Sequence, residues 1–356
     1  MRIELPISKS IANRLLILQA IHGDGLMTVS CDMPDDVRIM SEAIRLLGER
    51  REARIDLGNC GTAMRFLTAY CAQLEGQTTI LDGVERMHHR PIGQLVDALR
   101  EIGADIEYLG EEGFPPLRIK GCILDKRRIV TINNPQSTQF VSALLLIGAN
   151  VQTDSTSPYI YITQEVIKQY QLSPFSFHIS VEKDWSSAAF WYEYVALYGG
   201  EITLLGLSRD SLQGDKIVAD IFAHLGIHTT YTAEGITLSP IAYSEASYSP
   251  LSGRPIAAQA ASRSKILVQD FGNCPDLYPA IALTCEHLGI ELHATGVESL
   301  PLKESDRLRA VREHRTDADH RMAMALLIAG YEVDDTACIS KSYPQFMEQF
   351  RQLRKK

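Results

Sequence analysis

The sequence predicts an α/β protein whose two domains are built from repeated strand–helix units. Its 356 residues suffice for two domains with separate hydrophobic cores. One pattern recurs: a short strand, a glycine, a loop, an amphipathic helix, a second glycine and a second strand. In the two clearest copies the glycines lie 20 residues apart, Gly83 with Gly103 and Gly206 with Gly226. Such regular recurrence indicates a repeat architecture.

The elements of these two copies follow from the spacing of their apolar residues. The first copy predicts a strand at Thr79–Asp82 and a helix at Pro91–Ile102, and the second a strand at Thr203–Leu205 and a helix at Asp215–Leu225. Apolar residues recur at intervals of three and four in each helix, which places them on one face. A glycine directly after each helix is typical of a left-handed cap.

Three further segments fit the pattern less completely. They predict helices at Pro34–Leu47, Pro275–Leu288 and Ser305–Arg315, but Thr316 stands where the last should be followed by a glycine, and Glu49–Arg54 takes the place of a strand. The two breaks are either deletions or places where the sequence lacks residues of the protein, and we favour the second. Since helix–glycine–strand segments are common in α/β proteins, the repeat is a hypothesis at this point.

Composition argues against several classes of function. The net charge of −9 and the pI of about 5.6 argue against nucleic acid or an anionic membrane surface as partner. Seven scattered cysteines without a C-x-x-C pair favour reduced thiols, a cytoplasmic location and no zinc site. No apolar run is long enough to span a bilayer, and we recognise no signal peptide. His88 and His89 have no further ligand at helical spacing, so we favour loop residues over a metal site.

Small, hydroxylated and basic residues precede most of the predicted helices. Lys9 and Ser10 open one helix and Arg14 lies one turn further, an arrangement suited to an anion, although an ordinary serine cap is the alternative for this segment alone. In Gly58–Arg65, glycines let a ligand approach the backbone, and Cys60 is interpreted as a packing residue.

Other loops share this character. Arg90 is expected at the mouth of a helix that begins at Pro91, and the segments Pro135–Phe140 and Thr156–Tyr159 offer hydroxyls and an amide to a phosphate or sugar. In the second half, acidic and basic residues alternate at helix starts: Asp276, Lys303, Glu304, Arg307, His320, Arg321 and Lys341. A carboxylate flanked by cations suits acid–base chemistry, whereas in isolation a solvated helix face is the simpler interpretation. Together, so many loops in an acidic protein fit two small ligands that carry phosphate and carboxylate.

The sequence resembles the EPSP synthase family of enolpyruvyl transferases. The resemblance rests on Ser-Lys-Ser-x-x-Asn-Arg from Ser8, Asn-x-Gly-Thr-Ala-Met-Arg from Asn59, Arg-Pro-Ile-Gly from Arg90, Lys-Glu-Ser-Asp-Arg from Lys303 and Asp-His-Arg-Met-Ala-Met from Asp319. These motifs occur in the family's order and extend from residue 6 to about residue 350. The resemblance implies two similar globular domains, each of three βαβαββ repeats (an inside-out α/β barrel), with a ligand cleft between them. The expected domains are 1–7 plus 183–356 and 8–182.

The resemblance also implies the activity: the enolpyruvyl group of phosphoenolpyruvate passes to the 5-hydroxyl of shikimate 3-phosphate, in the pathway to chorismate and aromatic amino acids. Asp276, Glu304 and Lys9 would be catalytic. Shikimate 3-phosphate would be bound by Lys9, Ser10, Arg14, Ser137, Thr138, Gln139, Thr156, Tyr159, Asp276 and Lys303. Phosphoenolpyruvate would be bound by Lys9, Gly61, Arg90, Gln139, Arg307, His320, Arg321 and Lys341. The family needs no cofactor and no metal, so we expect a cytoplasmic, cofactor-free and metal-free monomer whose only partners are these small molecules.

Several positions depart from the family pattern. Ile7 stands for the usual glycine, Phe66 for the usual proline, Ser299 and Pro301 for Asn and Arg, and Thr138 for a serine. The family is the target of glyphosate; the retained Gly61 favours inhibitor access, whereas Phe66 is unusual.

Two alternatives remain at this stage. In the sister family that acts on UDP-N-acetylglucosamine, a cysteine usually occupies the loop of His88–Arg90 and Lys-Asn replaces Lys9-Ser10, so both features count against it. A non-catalytic phosphosugar-binding relative would have no need of both Asp276 and Glu304.

Overall fold

The protein consists of two compact units, each described here by itself. The computed structural model describes residues 1–172, 181–241 and 266–354, with the backbone of 247–248 and 255–256. The discontinuous unit comprises Met1–Ser8 and Glu182–Lys356, and the continuous unit comprises Lys9–Val181. The expected boundaries differ from these by one residue at each crossing.

Twelve helices and fourteen strands make up the described part of the chain. The helices are α1 Lys9–His22, α2 Asp35–Glu49, α3 Gly61–Ala72, α4 Gly93–Glu101, α5 Thr138–Leu146, α6 Pro158–Leu172, α7 Trp185–Tyr198, α8 Val218–His224, α9 Tyr278–Leu288, α10 Arg307–Glu313, α11 His320–Ile328 and α12 Phe346–Arg354. The strands are β1 Arg2–Glu4, β2 Glu52–Asp56, β3 Thr78–Asp82, β4 Asp105–Tyr108, β5 Leu117–Lys120, β6 Ile129–Thr131, β7 Asn150–Gln152, β8 Ile202–Leu205, β9 Ile227–Thr232, β10 Gly235–Pro240, β11 Ser247–Tyr248, β12 Pro255–Ile256, β13 Ile266–Asp270 and β14 Glu291–Thr295.

The described residues of each unit contain one complete βαβαββ repeat. In the discontinuous unit it is β1–α7–β8–α8–β9–β10, with sheet order β1-β8-β10-β9. In the continuous unit it is β2–α3–β3–α4–β4–β5, with the same order, β2-β3-β5-β4. In both sheets the first two strands are parallel and the last two form an antiparallel pair. The α/β fold class predicted from the sequence is confirmed.

The other repeats are shorter among the described residues. The pairs β6 with β7 and β13 with β14 are two-stranded parallel sheets that belong to βαβα units. No strand separates α1 from α2 or α11 from α12 in the described part of the chain. The prediction that Glu49–Arg54 replaces a strand was wrong, because β2 begins at Glu52 and opens the next repeat. After Thr316, by contrast, the chain passes directly to α11.

Each repeat contains two helices, and the first of them is buried at the centre of its unit. Helices α1, α3 and α5 pack against one another, as do α7, α9 and α11. All fourteen residues of α7 are buried, including the indoles of Trp185 and Trp191. A helix that is apolar on every side has to be enclosed, whereas α2, α4 and α12 carry a single apolar stripe and cover the outside.

Several helix ends differ from prediction for identifiable reasons. Helix α2 runs through Gly48 to Glu49, because Gly48 does not adopt the positive φ of a left-handed cap. Pro91 lies two residues before α4, because a short 3₁₀ helix at Glu85–His89 leads into the loop. The predicted caps are confirmed: Gly103 and Gly226 have φ of +102° and +83°.

The two segments at the unit boundary are paired with each other. Ile7 and Lys183 form an antiparallel bridge, the amide of Ser8 donates to the carbonyl of Glu182 at 2.7 Å, and that of Asp184 to the carbonyl of Pro6 at 2.9 Å. Within the described ranges, no helix has the length and apolarity that crossing a membrane requires.

Candidate active site

In the continuous unit, the predicted ligand-binding residues lie at the starts of the three central helices. Lys9 begins α1, Gly61 begins α3 and Thr138 begins α5. The Ser137 hydroxyl caps α5 by accepting from the amide of Gln139 at 3.3 Å. The Gln139 side chain donates to the Thr62 hydroxyl at 2.9 Å, so the starts of α3 and α5 are in direct contact. Free amides at such starts favour an anionic ligand.

Arg14 lies behind this surface and joins α1 to α5 and α6. Its guanidinium donates to the carbonyl of Ser10 at 2.6 Å, the hydroxyl of Thr163 at 2.7 Å and the hydroxyl of Ser142 at 3.2 Å. It also donates to the carbonyl of Tyr159 at 3.0 Å. Burial lowers the pKa of Arg14 to about 10. In this structure Arg14 therefore orients Ser10 and Tyr159 from within.

Arg90 lies against the start of α3. A Cβ added to Gly61 would lie 2.5 Å from Nη1 of Arg90 and 2.3 Å from Nη1 of Arg65. Arg90 itself donates to the carbonyl of Asn59 at 3.4 Å, and its side chain is buried. The absence of a side chain at Gly61 thus allows two guanidinium groups to converge on the α3 N-terminus.

Lys9 has a buried carboxylate as partner. Its Nζ lies 2.9 Å from Oδ2 of Asp36, and the two side chains are 13% and 3% exposed. The sequence analysis did not single out Asp36. The signal that could have identified it is its burial next to a basic loop, which is a property of the fold and not of the local sequence.

Thr156 lines a polar pocket beside the ends of β6 and β7. The pocket has a volume of about 780 Å³, and hydroxyl and amide side chains dominate its wall. Tyr159 lies next to it at the start of α6. This wall suits a hydroxylated ring more than an apolar ligand.

In the discontinuous unit, Arg307 is the centre of an ion-pair network. Its side chain is 1% exposed, with Nη1 2.8 Å from Asp276 Oδ1, Nη2 3.2 Å from Glu304 Oε2 and Nε 2.8 Å from Asp319 Oδ2. Burial opposes the charge on Arg307, but the three carboxylates outweigh it and raise the pKa of the guanidinium. One buried cation therefore holds both predicted catalytic carboxylates in place.

Three further cations complete the network. Arg321 Nη2 lies 2.8 Å from Asp276 Oδ2, Lys303 Nζ 3.7 Å from Asp276 Oδ1, and Lys341 Nζ 3.0 Å from Glu304 Oε1. Among the described residues, the Nε and Nη1 atoms of Arg321 are buried and have no hydrogen-bond partner. The structure thus brings together the charged residues that the sequence placed in four separate segments.

Asp319 fixes the start of α11. It caps the helix by accepting from the amide of Arg321 at 2.9 Å and also accepts from the hydroxyl of Ser305 at 3.2 Å. Its side chain is fully buried, and His320 beside it is equally buried. Asp319 was recognised in the sequence as part of a motif, but its contact with Arg307 depends on the tertiary fold.

A second buried acid adjoins Asp276. Asp215 accepts from the hydroxyl of Ser186, and burial together with the charge of Asp276 raises the pKa of Asp215 to about 7. Sequence reasoning treated Asp215 only as the start of a helix.

Across the described ranges, no group of three His, Cys, Asp or Glu side chains is placed to hold a metal ion. His88 contacts Asp82 at 2.9 Å, and His89 contacts Glu85 at 3.3 Å.

Comparison with known proteins gives one consistent result. The family model for EPSP synthase (3-phosphoshikimate 1-carboxyvinyltransferase) matches residues 1–173, 146–315 and 311–350. A relative from Bacteroides fragilis, named 3-phosphoshikimate 1-carboxyvinyltransferase, is 36% identical over 411 aligned positions that cover 98% of this chain and 94% of the relative. A relative of the same name from Cellvibrio japonicus is 30% identical, and the alignment covers 99% of this chain and 96% of the relative.

Solved structures agree on the fold. An EPSP synthase from Acinetobacter baumannii has a TM-score of 0.63 at 17% identity and covers 99% of this chain and 95% of its own. The alignment with the Bacteroides fragilis relative spans 411 positions, whereas this chain has 356 residues, so at least 55 of those positions have no counterpart here.

Proposed function

The chain belongs to the EPSP synthase family, and we propose that it transfers the enolpyruvyl group of phosphoenolpyruvate to the 5-hydroxyl of shikimate 3-phosphate and releases phosphate. The observation that carries this proposal is the network in which Arg307 contacts both Asp276 and Glu304. A protein that only bound phosphosugars would gain nothing from two carboxylates held on one buried guanidinium, because each weakens the attraction for an anion.

The two ligands are assigned by the chemistry of the side chains. Shikimate 3-phosphate is assigned to Lys9, Ser10, Arg14, Ser137, Thr138, Gln139, Thr156, Tyr159, Asp276 and Lys303. Phosphoenolpyruvate is assigned to Lys9, Gly61, Arg90, Gln139, Arg307, His320, Arg321 and Lys341. Hydroxyls, an amide and the polar wall at Thr156 support the first set, and the convergent guanidinium groups support the second. Arg14 would act on the acceptor through the carbonyls that it holds.

The reaction divides proton transfer between two carboxylates. Asp276 takes the proton of the 5-hydroxyl while the hydroxyl oxygen bonds to C2 of phosphoenolpyruvate. Glu304 delivers a proton to the methylene carbon. A tetrahedral intermediate results. The bond from C2 to the phosphate oxygen then breaks, Glu304 takes back a proton from the methyl group, and phosphate departs with the proton from Asp276. Lys9 stabilises the developing negative charge.

Substrate has to compete with these carboxylates. Lys341 and Arg307 both contact Glu304, so the phosphate and carboxylate of phosphoenolpyruvate would draw the same cations. Binding would then release Glu304 for proton transfer. The activity would thereby be coupled to occupancy of the cation cluster.

Other parts of the proposal follow from the composition and from the fold. We place the enzyme in the cytoplasm, because its cysteines are free thiols among the described residues and its charge disfavours an anionic surface. We also propose that it is a monomer. We assign no cofactor, because the acid–base groups are supplied by the chain itself.

The first experiment measures phosphate release from the purified protein with phosphoenolpyruvate and either shikimate 3-phosphate or UDP-N-acetylglucosamine, with a chelator present. We expect release with shikimate 3-phosphate alone. Release with the nucleotide sugar alone would assign the chain to the sister activity. Release with neither would contradict an enzymatic role and favour a binding protein.

Replacement of Glu304 by glutamine separates binding from turnover. Because the amide keeps the shape but cannot transfer a proton, we expect kcat to fall by a factor of about 10² or more. Phosphoenolpyruvate should bind at least as tightly as in the parent, since Arg307 and Lys341 lose a competing charge. Steady-state kinetics and calorimetric titration measure the two effects. Unchanged turnover would refute the role of Glu304, and Glu298→Gln in the exposed loop nearby is the matched control.

A further inference from the structure

Asp36 occupies the point at which three helix starts of the continuous unit meet. Its carboxylate contacts Lys9 of α1 at 2.9 Å, and its carbonyl lies 3.8 Å from the thiol of Cys60, the residue before α3. Asp36 itself is in the first turn of α2 and is 2% exposed.

The local structure explains why a carboxylate is stable in this place. Pro34 precedes α2 and offers no side-chain cap, so the first amides of the helix lack a side-chain acceptor from that position. A negative charge in the first turn is favoured by the helix dipole. The α2 dipole therefore favours the negative charge of Asp36 in addition to Lys9. Because Asp36 belongs to α2, this helix sets the position of the carboxylate that Lys9 contacts.

The contact also constrains the lysine. A lysine side chain has four rotatable bonds, and it loses rotamer entropy when its ammonium group is fixed. Oδ2 of Asp36 holds the ammonium group, while Oδ1 is buried and accepts no hydrogen bond among the described residues. The ion pair is thus the main polar contact of this carboxylate.

We infer that Asp36 is a positioning residue, which holds the ammonium group of Lys9 where it meets the substrates. The inference rests on the proposed function for the role of Lys9 but not for the contact itself. Asp36 touches no reacting atom. It acts through Lys9, and the loss of its charge should affect kcat more than either KM, because the placement of the ammonium group matters most for the transition state.

A double-mutant cycle tests this coupling. We expect Asp36→Asn to lower kcat about 10-fold to 100-fold, whereas in a Lys9→Met background the same change should alter kcat less than about 3-fold. The matched control is Asp35→Asn, because Asp35 lies in the same helical turn but pairs with the half-exposed Arg38 at 2.7 Å. If Asp36→Asn lowered kcat by the same factor in the parent and in the Lys9→Met background, the inference would be overturned.

A second readout does not require activity. Competitive acetylation followed by peptide mass spectrometry reports the reactivity of the Lys9 amine in the whole protein. Asp36→Asn should increase labelling of Lys9 several-fold, and Asp35→Asn should leave it unchanged. Equal labelling in all three proteins would overturn the inference even in a protein without the proposed activity.

Should Asp36→Asn not fold, Asp36→Glu provides the comparison, since it keeps the charge and moves the oxygens by one methylene. We expect Asp36→Glu to lower kcat at unchanged thermal stability.

Discussion

Glu193 is a carboxyl group in the core of the discontinuous unit that the proposed chemistry does not use. It lies in the middle of α7, is fully buried, and neither oxygen has a hydrogen-bond partner among the described residues. Burial raises its pKa well above the usual range. The group is therefore neutral in the folded protein over a range of pH in which it is ionised in the unfolded chain.

This difference makes stability depend on pH in a defined direction. The folded protein keeps the proton above the unfolded pKa of about 4.3, so stability declines as pH rises from that value towards the folded pKa. We expect Glu193→Gln, which has the same shape and no charge, to remove a slope of about 1.4 kcal/mol per pH unit. Thermal unfolding should show similar midpoints at pH 4 and a higher midpoint for the variant at pH 8.

The control for this experiment is Glu201→Gln, which changes an exposed carboxylate shortly after the same helix. It should leave the pH dependence of the parent intact. An equal pH slope in the parent and in Glu193→Gln would contradict the buried, neutral state of Glu193.

Short motifs in the sequence singled out Ser137, Gly61 and Arg307. The structure places the first two at the starts of α5 and α3 and the third at the centre of the ion-pair network, and their roles in binding stay predictions. Asp36 and Asp319 were missed as partners, because a carboxylate that pairs with a lysine 27 positions away, or with an arginine 12 positions away, leaves no local signal. Such pairs depend on the packing of helices that only the fold brings together.

At the scale of the elements, two glycines show how position in a helix decides the effect of a side chain. Gly61 begins α3 beneath two guanidinium groups, whereas Gly48 lies inside α2 with open space around it. The same methyl group should therefore have opposite consequences at the two sites.

Gly61→Ala should leave the fold intact and weaken donor binding. The added Cβ would displace the ends of Arg65 and Arg90, which lie 2.3 and 2.5 Å away, and flexible side chains can move at small cost. We expect KM for phosphoenolpyruvate to rise at least about 10-fold, equivalent to about 1.4 kcal/mol, with little change in KM for shikimate 3-phosphate. Steady-state kinetics with each substrate varied in turn measures this. Gly48→Ala is the control: normal kinetics and a gain of about 1 kcal/mol in unfolding free energy.

Helices with a clear apolar stripe were predicted well. Burial of one helix face requires apolar residues at intervals of three and four, and this spacing is visible in the sequence. The ends were less accurate at Pro91 and Gly48, where a proline or glycine can stand in more than one position relative to a helix end. The buried central helix Trp185–Tyr198 has little stripe to detect, because its residues are buried on every side. Its place in the fold follows from the packing of its neighbours and not from its own pattern.

At the scale of the whole molecule, the continuous unit is formed by one uninterrupted stretch of chain. Lys9–Val181 contains its own three central helices and a complete repeat. We expect this segment, expressed alone, to unfold cooperatively with helical circular dichroism, because its core is formed by its own residues. A broad, non-cooperative transition would show that the unit depends on the rest of the chain.

The fold class was predicted at this scale because repetition was visible in the glycine spacing. The break after Arg315 was also visible in the sequence, because Thr316 stands where the pattern expects a glycine and no strand separates α10 from α11. The break after Gly48 was assigned to the wrong strand, because Glu52–Asp56 opens the next repeat.

The short repeats also carry a practical lesson for comparing such sequences. Strand pairs β4–β5 and β9–β10 follow the second helix of their repeats, whereas the assigned binding residues lie before or near the start of one of the two helices. Chain length can therefore drift after the second helix while the chemistry keeps its place. Alignments of distant relatives should be anchored at the starts of the central helices, with gaps permitted freely behind the outer ones. A uniform penalty on gaps would misplace the acidic and basic residues of every repeat that follows a shortened one.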